Sequence, residues 1–233
     1  MRKSSLVLAS IGMLLLLIGV YFAFFIAPES VVEVEGKQIA LFSQKIFYFH
    51  VPVSETSLLF FILGGIFGGL YLSKRERFYE QLSYAAVEVG FVFGLLVMVT
   101  GVLWTRADWS VWWDWEPRLT TYLVLMLTYA GYFVLRSSIQ EASTKARFSA
   151  VFSIIAAVNA PLTFFAGRLD VLKPAHPKLF TLQGAAMADP MLLAFLISMF
   201  GMTLFAFSLF LMRLDLLRAN EELDYLKEQV EVV

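Results

Sequence analysis

The chain has 233 residues and a mass of 26.4 kDa, with 59% hydrophobic residues, only 16% charged residues and a mean hydropathy of +0.74. Ordinary soluble domains carry about 25% charged residues, so this composition is typical of an integral membrane protein. A formal net charge of −1 provides no basic surface for a nucleic acid. The sequence has no cysteine, which excludes disulfides, thiolate chemistry and a Cys-x-x-Cys-His attachment site.

Six apolar stretches each have close to the roughly 20 residues that a helix needs to cross a bilayer. They cover residues 6–27, 46–72, 83–104, 119–136, 148–167 and 190–212. The sequence therefore predicts an all-α integral membrane protein, with residues 1–233 forming a single six-helix transmembrane domain. The first stretch exceeds the about 7–15 apolar residues of a signal peptide and lacks a small-x-small cleavage site after it, so we expect it to be retained.

Lysine and arginine residues in the loops predict the orientation of the spans. With both termini in the cytoplasm, the cytoplasmic segments hold eleven of these residues and the outer segments hold seven. We therefore expect a multi-pass membrane protein with both termini in the cytoplasm. Its outer loops then lie near residues 28–45, 105–118 and 168–189.

Three smaller patterns predict local structure. Leucines continue between charged residues after the sixth span, which predicts a cytoplasmic helical tail over about 213–233. Residues 31–39 alternate apolar and charged side chains around a glycine, which predicts a short hairpin. The second span carries Gly64-Gly65 and Gly68-Gly69, a spacing typical of close helix packing in lipid.

All five tryptophans lie between residues 104 and 115, in the second outer loop. They are Trp104, Trp109, Trp112, Trp113 and Trp115. An aromatic belt at the interface would place tryptophan at both membrane faces and on several spans. We therefore interpret the cluster as one outer, tryptophan-rich loop between helices 3 and 4 that binds a planar, hydrophobic and partly charged ligand. A quaternary ammonium compound, held by cation–π contact, and a porphyrin, held by stacking, both fit such a surface.

The residues after the tryptophans predict the start of the fourth helix. Glu116 precedes Pro117, and an acid followed by proline is typical of a first helical turn. Arg118 follows directly, and its guanidinium can pair with a carboxylate in bidentate geometry.

The chain has only two histidines, and both are predicted on the face that carries the tryptophans. His50 lies near the outer end of the second span, and His176 lies in the third outer loop. Two neutral imidazoles form the axial ligand set of a b-type heme iron, and Arg118, Arg106 or Arg168 would then meet the propionates. Two histidines allow at most one such heme, which excludes a two-heme electron carrier.

Two glutamates lie within the predicted spans, where carboxylates indicate function by default. Glu55 follows His50 by about one turn, so it is either an acceptor for the imidazole N–H or a packing residue. Glu88 lies near the inner end of the third span. It either bonds to a neighbouring helix or lines a cytoplasmic entry.

The run from Trp104 to Thr121, WTRADWSVWWDWEPRLTT, resembles the tryptophan-rich WWD signature of the heme-handling membrane protein superfamily. Within it, the sequence is most similar to the heme exporter protein C family of the cytochrome c maturation system. Residues 45–52, KIFYFHVP, resemble the segment that holds the family's first axial histidine. Asn159-Ala160-Pro161 resembles a further landmark, and His176 matches the second axial histidine. The resemblance covers residues 45–212.

This resemblance implies a protein that is not an enzyme. It implies that the protein holds one non-covalent heme b per chain at the outer, periplasmic face of the cytoplasmic (inner) membrane. It implies handover of heme to a membrane-anchored, CcmE-like heme chaperone. Further implied partners are CcmA-like and CcmB-like heme ABC transporter subunits and a small CcmD-like subunit. No nucleic acid is expected as a partner. The implied site residues are His50 and His176 as axial iron ligands, with Trp104, Trp109, Trp112, Trp113, Trp115, Glu116 and Arg118 around the macrocycle.

Two other functions stay open at this point. A multispanning small-solute transporter would use the tryptophan cluster as a cation-binding site and would not depend on His50 or His176. A single-heme membrane b-type cytochrome would be reduced reversibly beside a quinone or a second redox centre, and the absence of further histidines from the sequence disfavours it.

Overall fold

The computed structural model describes residues 3–29, 31–34, 37–40, 43–166, 180–181, 184–185 and 187–231. Six long helices dominate this part of the chain, and each is long and apolar enough to cross a membrane. They are α1 (Lys3–Tyr21), α2 (Gln44–Lys74), α3 (Arg77–Asp108), α4 (Pro117–Ser138), α5 (Ala142–Ala166) and α6 (Asp189–Glu231). The six predicted spans are confirmed, and the chain is an all-α, multi-pass membrane protein.

Two small antiparallel hairpins accompany the helices. β1 (Val31–Val34) pairs with β2 (Lys37–Ala40) between α1 and α2, so the hairpin predicted over residues 31–39 is confirmed. β3 (Phe180–Thr181) pairs with β4 (Gly184–Ala185) between α5 and α6. A π-helical segment, Phe22–Ile26, extends α1.

Consecutive helices run in opposite directions, so the bundle has two different ends. The end that carries the α1–α2, α3–α4 and α5–α6 connections is called the tryptophan end. The other carries the short α2–α3 and α4–α5 turns and the extension of α6, and is called the tail end. α6 is helical as far as Glu231, and the cytoplasmic position of its end stays a prediction.

Small residues allow α2 to approach two neighbours closely. A side chain at Gly64 would meet Val87 of α3, and side chains at Gly65 and Gly68 would meet α5 at Ala157 and around Ser153. The glycine run therefore packs helices, as its spacing predicts. A Cβ atom at Gly101 of α3 would come within 3.3 Å of His50 of α2, so the two helices are also close at the tryptophan end.

Ion pairs join α3 to the neighbouring helices at the tail end. Arg213 of α6 donates to Glu88 from Nε (2.6 Å) and from Nη2 (2.9 Å). Glu80 pairs with Arg136 of α4 and with Arg77 one turn away. Of the two interpretations of Glu88, the structure supports a bond to a neighbouring helix, because paired charges are the form in which carboxylates persist inside a membrane.

Candidate functional site

The structure corrects the expectation that all five tryptophans lie in a loop. α3 continues to Asp108, so Trp104 is helical, and residues 109–116 alone connect α3 to α4. The prediction placed the end of this helix where the apolar residues end. The polar turn that follows stays helical, with the N–H of Trp109 still bonded to the carbonyl of Thr105 (2.9 Å). We call residues 104–116 the tryptophan segment.

Hydrogen bonds fold the tryptophan segment back over the end of α3. Arg106 Nη1 donates to the carbonyl of Ser110 (2.6 Å). Thr105 Oγ1 lies within hydrogen-bond distance of the carbonyl of Trp112 (3.1 Å) and of the carbonyl of Val102 in its own helix (3.0 Å). Ser110 adopts a left-handed φ of 60°, which turns the chain at this point. Ser43, just before α2, donates to Asp108 (3.0 Å). The segment is thus attached to both α2 and α3.

The indoles of the tryptophan segment form two edge-to-face pairs. Trp104 and Trp109 have ring centroids 5.0 Å apart, and Trp113 and Trp115 have centroids 5.8 Å apart. Trp112 lies against the Arg106 guanidinium (5.6 Å). Trp112 is 62% exposed and Trp115 is 72% exposed. The segment therefore presents apolar aromatic surface outward, which is suited to contact with a planar ligand, a partner or the membrane interface.

The fourth helix begins where the sequence predicts. Pro117 is its first residue, and the Glu116 side chain accepts a hydrogen bond from the N–H of Leu119 (2.9 Å). Glu116 is buried, and its carboxylate stabilises the positive end of the helix dipole. Asn159 of α5 donates to the carbonyl of Thr121 (3.2 Å). This bond fixes the first turns of α4, and therefore Arg118, relative to α5.

A cavity opens at the tryptophan end between α2, α3 and α4. Its space, including the part that is open to the outside, measures about 450 Å³. Four predicted site residues meet there: His50, Trp104, Trp113 and Arg118. Its full lining among the described residues is His50, Ser54, Val97, Met98, Gly101, Val102, Trp104, Thr105, Trp113, Arg118, Leu119 and Tyr122.

The other predicted site residues either lie beside this cavity or are not among the residues that the structure describes. Trp109, Trp112, Trp115 and Glu116 are close in sequence to the lining residues but are not part of the lining. His176 and Arg168 lie outside the residues that the structure describes. Arg106, the remaining candidate for a propionate, bonds to the Ser110 carbonyl instead.

Trp113 and Arg118 contribute hydrogen-bond donors to the lining of the cavity. The Trp113 Nε1 atom is buried and has no hydrogen-bond partner among the described residues. The Arg118 side chain is 16% exposed, and its Nη2 lies 4.0 Å from Glu55 Oε1, well beyond the roughly 2.7–2.9 Å of a strong charged hydrogen bond. A buried N–H without a partner carries a desolvation penalty that an incoming acceptor relieves. The cavity is therefore suited to an anionic group such as a carboxylate.

His50 lies in the second turn of α2 and is half-buried. Its Nδ1 atom lies 2.8 Å from Thr100 Oγ1 of α3. The sequence left Glu55 as either an acceptor for this imidazole or a packing residue. In the structure Thr100 bonds Nδ1, and Glu55 forms an ion pair with Arg118. The sequence analysis did not identify Thr100 or Thr105 as residues of the site. No local signal distinguishes them, because their partners become neighbours only when the helices pack and the segment folds back.

The chain matches the family model described as heme exporter protein C over residues 1–228. The chain belongs to the heme exporter protein C family.

Individual members of the family are similar over different lengths. Heme exporter protein C of Rhodobacter capsulatus is 31% identical over 122 residues, which are 52% of this chain and 50% of that protein. The Bradyrhizobium diazoefficiens protein of the same name is 29% identical over 215 residues, or 91% of this chain and 78% of the relative. Heme exporter protein C of Escherichia coli K12 is 28% identical over 123 residues, which are 53% of this chain and 50% of that protein. The matched part thus spans about half the length of two of these relatives.

Proposed function

We propose that this protein binds heme b at the tryptophan end and passes it to a membrane-anchored heme chaperone during cytochrome c maturation. The observation that carries the proposal is the cavity, because His50, two indoles and Arg118 line one space although they come from three helices and a loop. Membership of the heme exporter protein C family supports it. Heme is the cargo of this protein in the proposal, not a catalytic group.

The residues of the cavity fit the parts of a heme. An imidazole nitrogen of His50 supplies an axial ligand to iron. Trp104 and Trp113 offer flat apolar faces to the macrocycle. Arg118 and the Trp113 N–H are donors for a propionate. His176 is proposed as the second axial ligand on the resemblance alone, and Trp109, Trp112, Trp115 and Glu116 stay candidates for contact at the rim.

The size of the cavity favours binding across its mouth. The space of about 450 Å³ includes the part that is open to the outside, so the cavity does not surround a ligand on all sides. We infer that the porphyrin lies over the opening, with one edge accessible to a second protein. Such a position favours handover, because the partner reaches the edge without displacing the whole ligand.

The proposal includes a location and partners. The charge distribution of the loops supports cytoplasmic termini. The proposed position of the tryptophan end is therefore the outer, periplasmic face of the inner membrane. The proposed partners are the CcmE-like chaperone, CcmA-like and CcmB-like transporter subunits and a small CcmD-like subunit. The exposed indoles of Trp112 and Trp115 are the surface we assign to the chaperone.

The residues of the cavity argue against the alternative function, a transporter that binds an organic cation at the tryptophan cluster. The lining of the cavity includes the Arg118 guanidinium, whose positive charge repels a cation, and the Trp113 N–H, which presents a partly positive hydrogen. Two acids of the tryptophan segment are engaged elsewhere, since Asp108 accepts a bond from Ser43 and Glu116 caps α4. No acid of that segment lines the cavity.

Absorption spectra of the full chain in mild detergent test the proposal. Hemin is added to the parent, to His50→Ala and to His176→Ala, with Tyr225→Ala at the tail end as a control. We expect a six-coordinate, low-spin b-type spectrum in the parent and control and its loss in both histidine variants. A parent that binds no hemin, or histidine variants that match the parent, would overturn the proposal.

A further inference from the structure

We propose that Thr100 is a positioning residue that fixes the tautomer of His50, so that Nε2 carries the lone pair for the heme iron. This inference rests on the proposed function for the identity of the metal. The tautomer itself is a property of the heme-free protein, so it can be measured independently.

The hydrogen bonds of Thr100 decide which atom is the donor. Thr100 Oγ1 lies 2.8 Å from the carbonyl of Leu96 and 3.3 Å from that of Val97, one turn back along α3. A hydroxyl has a single proton, and back-bonding of threonine to the i−4 carbonyl is a common use of that proton. Toward His50 Nδ1, 2.8 Å away, the Thr100 oxygen is therefore the acceptor. It follows that Nδ1 carries the hydrogen.

The position of this hydrogen determines the ligand atom. A neutral imidazole with its hydrogen on Nδ1 has its lone pair on Nε2. Which ring nitrogen binds a metal is generally set by the hydrogen bond that the other nitrogen makes. Thr100 therefore prepares His50 for iron before heme arrives, and no proton has to move when the bond forms.

The residue after Thr100 allows the ring to lie close to α3. A Cβ atom at Gly101 would come within 3.3 Å of His50 Cε1, closer than ordinary van der Waals contact. The imidazole is thus bonded to Thr100 through Nδ1, and its Cε1 atom lies beside Gly101, where no side chain occupies the space. Both residues restrict rotation of the ring, and a restricted ring loses less entropy when it binds.

The type of acceptor fits a protein that must release its cargo. A carboxylate acceptor makes an ionised hydrogen bond about twice as strong as a neutral one and raises the basicity of the imidazole accordingly. A threonine hydroxyl orients the ring but adds less basicity, so the iron–nitrogen bond stays weaker. The structure pairs the one carboxylate near His50 in sequence, Glu55, with Arg118, which leaves the milder acceptor at Nδ1.

The first test measures the tautomer without heme. The full chain with His176→Gln holds one histidine, because the sequence has only two, and ¹⁵N-histidine NMR in micelles at alkaline pH reports His50 alone. We expect a protonated Nδ1 in the parent background, a shift toward mixed tautomers in Thr100→Val and recovery in Thr100→Ser. The matched control is Thr128→Val, which removes a hydroxyl bonded to its own i−4 carbonyl (2.7 Å) on α4. A hydrogen on Nε2 in the parent, or a tautomer unaffected by Thr100→Val, overturns the inference.

The second test titrates hemin into the same Thr100 and Thr128 variants in a chain that keeps His176. Loss of a partner of this kind typically weakens metal binding by about 10–100-fold, so we expect that loss in Thr100→Val and near-parent affinity in Thr100→Ser and Thr128→Val. Parent-like affinity in Thr100→Val contradicts the positioning role. A parent that binds no hemin while the tautomer still depends on Thr100 contradicts the proposed function instead, so the two failures are distinguishable.

Discussion

Arg118 Nη2 and Glu55 Oε1 lie 4.0 Å apart, with both side chains mostly buried (16% and 26% exposed). At this separation the attraction between the charges remains, but the geometry is poor for a hydrogen bond. Glu55 therefore holds the guanidinium near the cavity without saturating its five donors. An incoming carboxylate competes with Glu55 for the same guanidinium.

This competition predicts opposite effects for the two residues. Arg118→Gln removes the positive charge, and we expect heme affinity to fall by about tenfold or more, since hydrogen bonds to charged groups contribute about 1.5–3 kcal/mol. Glu55→Gln removes the competing carboxylate, and we expect affinity to rise. Hemin titrations of the purified variants measure both changes. Weaker binding in Glu55→Gln would show that Glu55 contributes to the site in some other way.

The buried Trp113 N–H predicts that stability and affinity change in opposite directions. Trp113→Phe keeps an aromatic ring but removes a buried donor that has no hydrogen-bond partner among the described residues. We expect the heme-free protein to be as stable or more stable, because the desolvation penalty of that donor disappears. We expect heme affinity to fall, because a propionate loses its donor. Thermal unfolding in detergent and hemin titration test the two halves separately.

The exposed Trp115 is the matched control for this prediction. It is 72% exposed and makes an edge contact with Trp113. Because phenylalanine keeps an aromatic face at this position, Trp115→Phe should leave stability near the parent value and lower hemin affinity less than Trp113→Phe does. A clear loss of stability in Trp113→Phe alone would mean that its N–H has an acceptor in the folded protein. Equal losses of affinity in both variants would assign the effect to the aromatic surface.

The parts of the fold that were predictable depend on local chemistry. Hydropathy predicts six spans because a helix in lipid must be apolar over its crossing length. The start of α4 at Pro117 was predictable because an acid followed by proline acts within one turn. The end of α3 was not, because Thr105 and Arg106 continue the helix beyond the apolar stretch and hydropathy carries no signal there.

The candidate site was predictable in its residue types but not in its contacts. His50 and the tryptophans stand out because the sequence has only two histidines and five tryptophans, and Arg118 stands out because it comes directly after the tryptophans. Thr100 does not stand out, and its bond to His50 joins residues that are fifty positions apart. Which face of α3 meets α2 depends on side-chain packing, as at Gly64 and Val87. The sequence pattern alone therefore leaves the partner of the imidazole undetermined.

The close approach of Gly101 to His50 predicts a graded effect on heme binding. In Gly101→Ala the new methyl lies 3.3 Å from Cε1, so the imidazole must shift by a few tenths of an ångström. We expect weaker hemin binding and a perturbed low-spin spectrum, with the variant still folded. Gly131→Ala on α4 is the control, because its methyl would make an ordinary contact of 3.8 Å with Phe152. Similar hemin binding in both alanine variants would contradict the proposed tight contact.

The ion pair at the tail end predicts a loss of stability without a loss of heme binding. Glu88 and Arg213 are bonded through two nitrogens, and their side chains are 24% and 28% exposed. Breaking a buried pair by removing one partner costs about 3–5 kcal/mol, so we expect a cost at or below the lower end of that range for Arg213→Leu. Because this variant leaves the Glu88 charge inside the membrane without its partner, Glu88→Gln combined with Arg213→Leu should recover much of the loss.

Thermal unfolding in detergent measures that recovery as a coupling energy in a double-mutant cycle. Hemin affinity, measured well below the unfolding temperature, should match the parent in all three variants, because the pair lies at the opposite end of the bundle from His50. Additive losses of stability would show that the two residues do not depend on each other. A specific loss of hemin binding in a folded Glu88→Gln variant would instead favour the alternative interpretation of Glu88, in which it lines an entry for heme from the tail end.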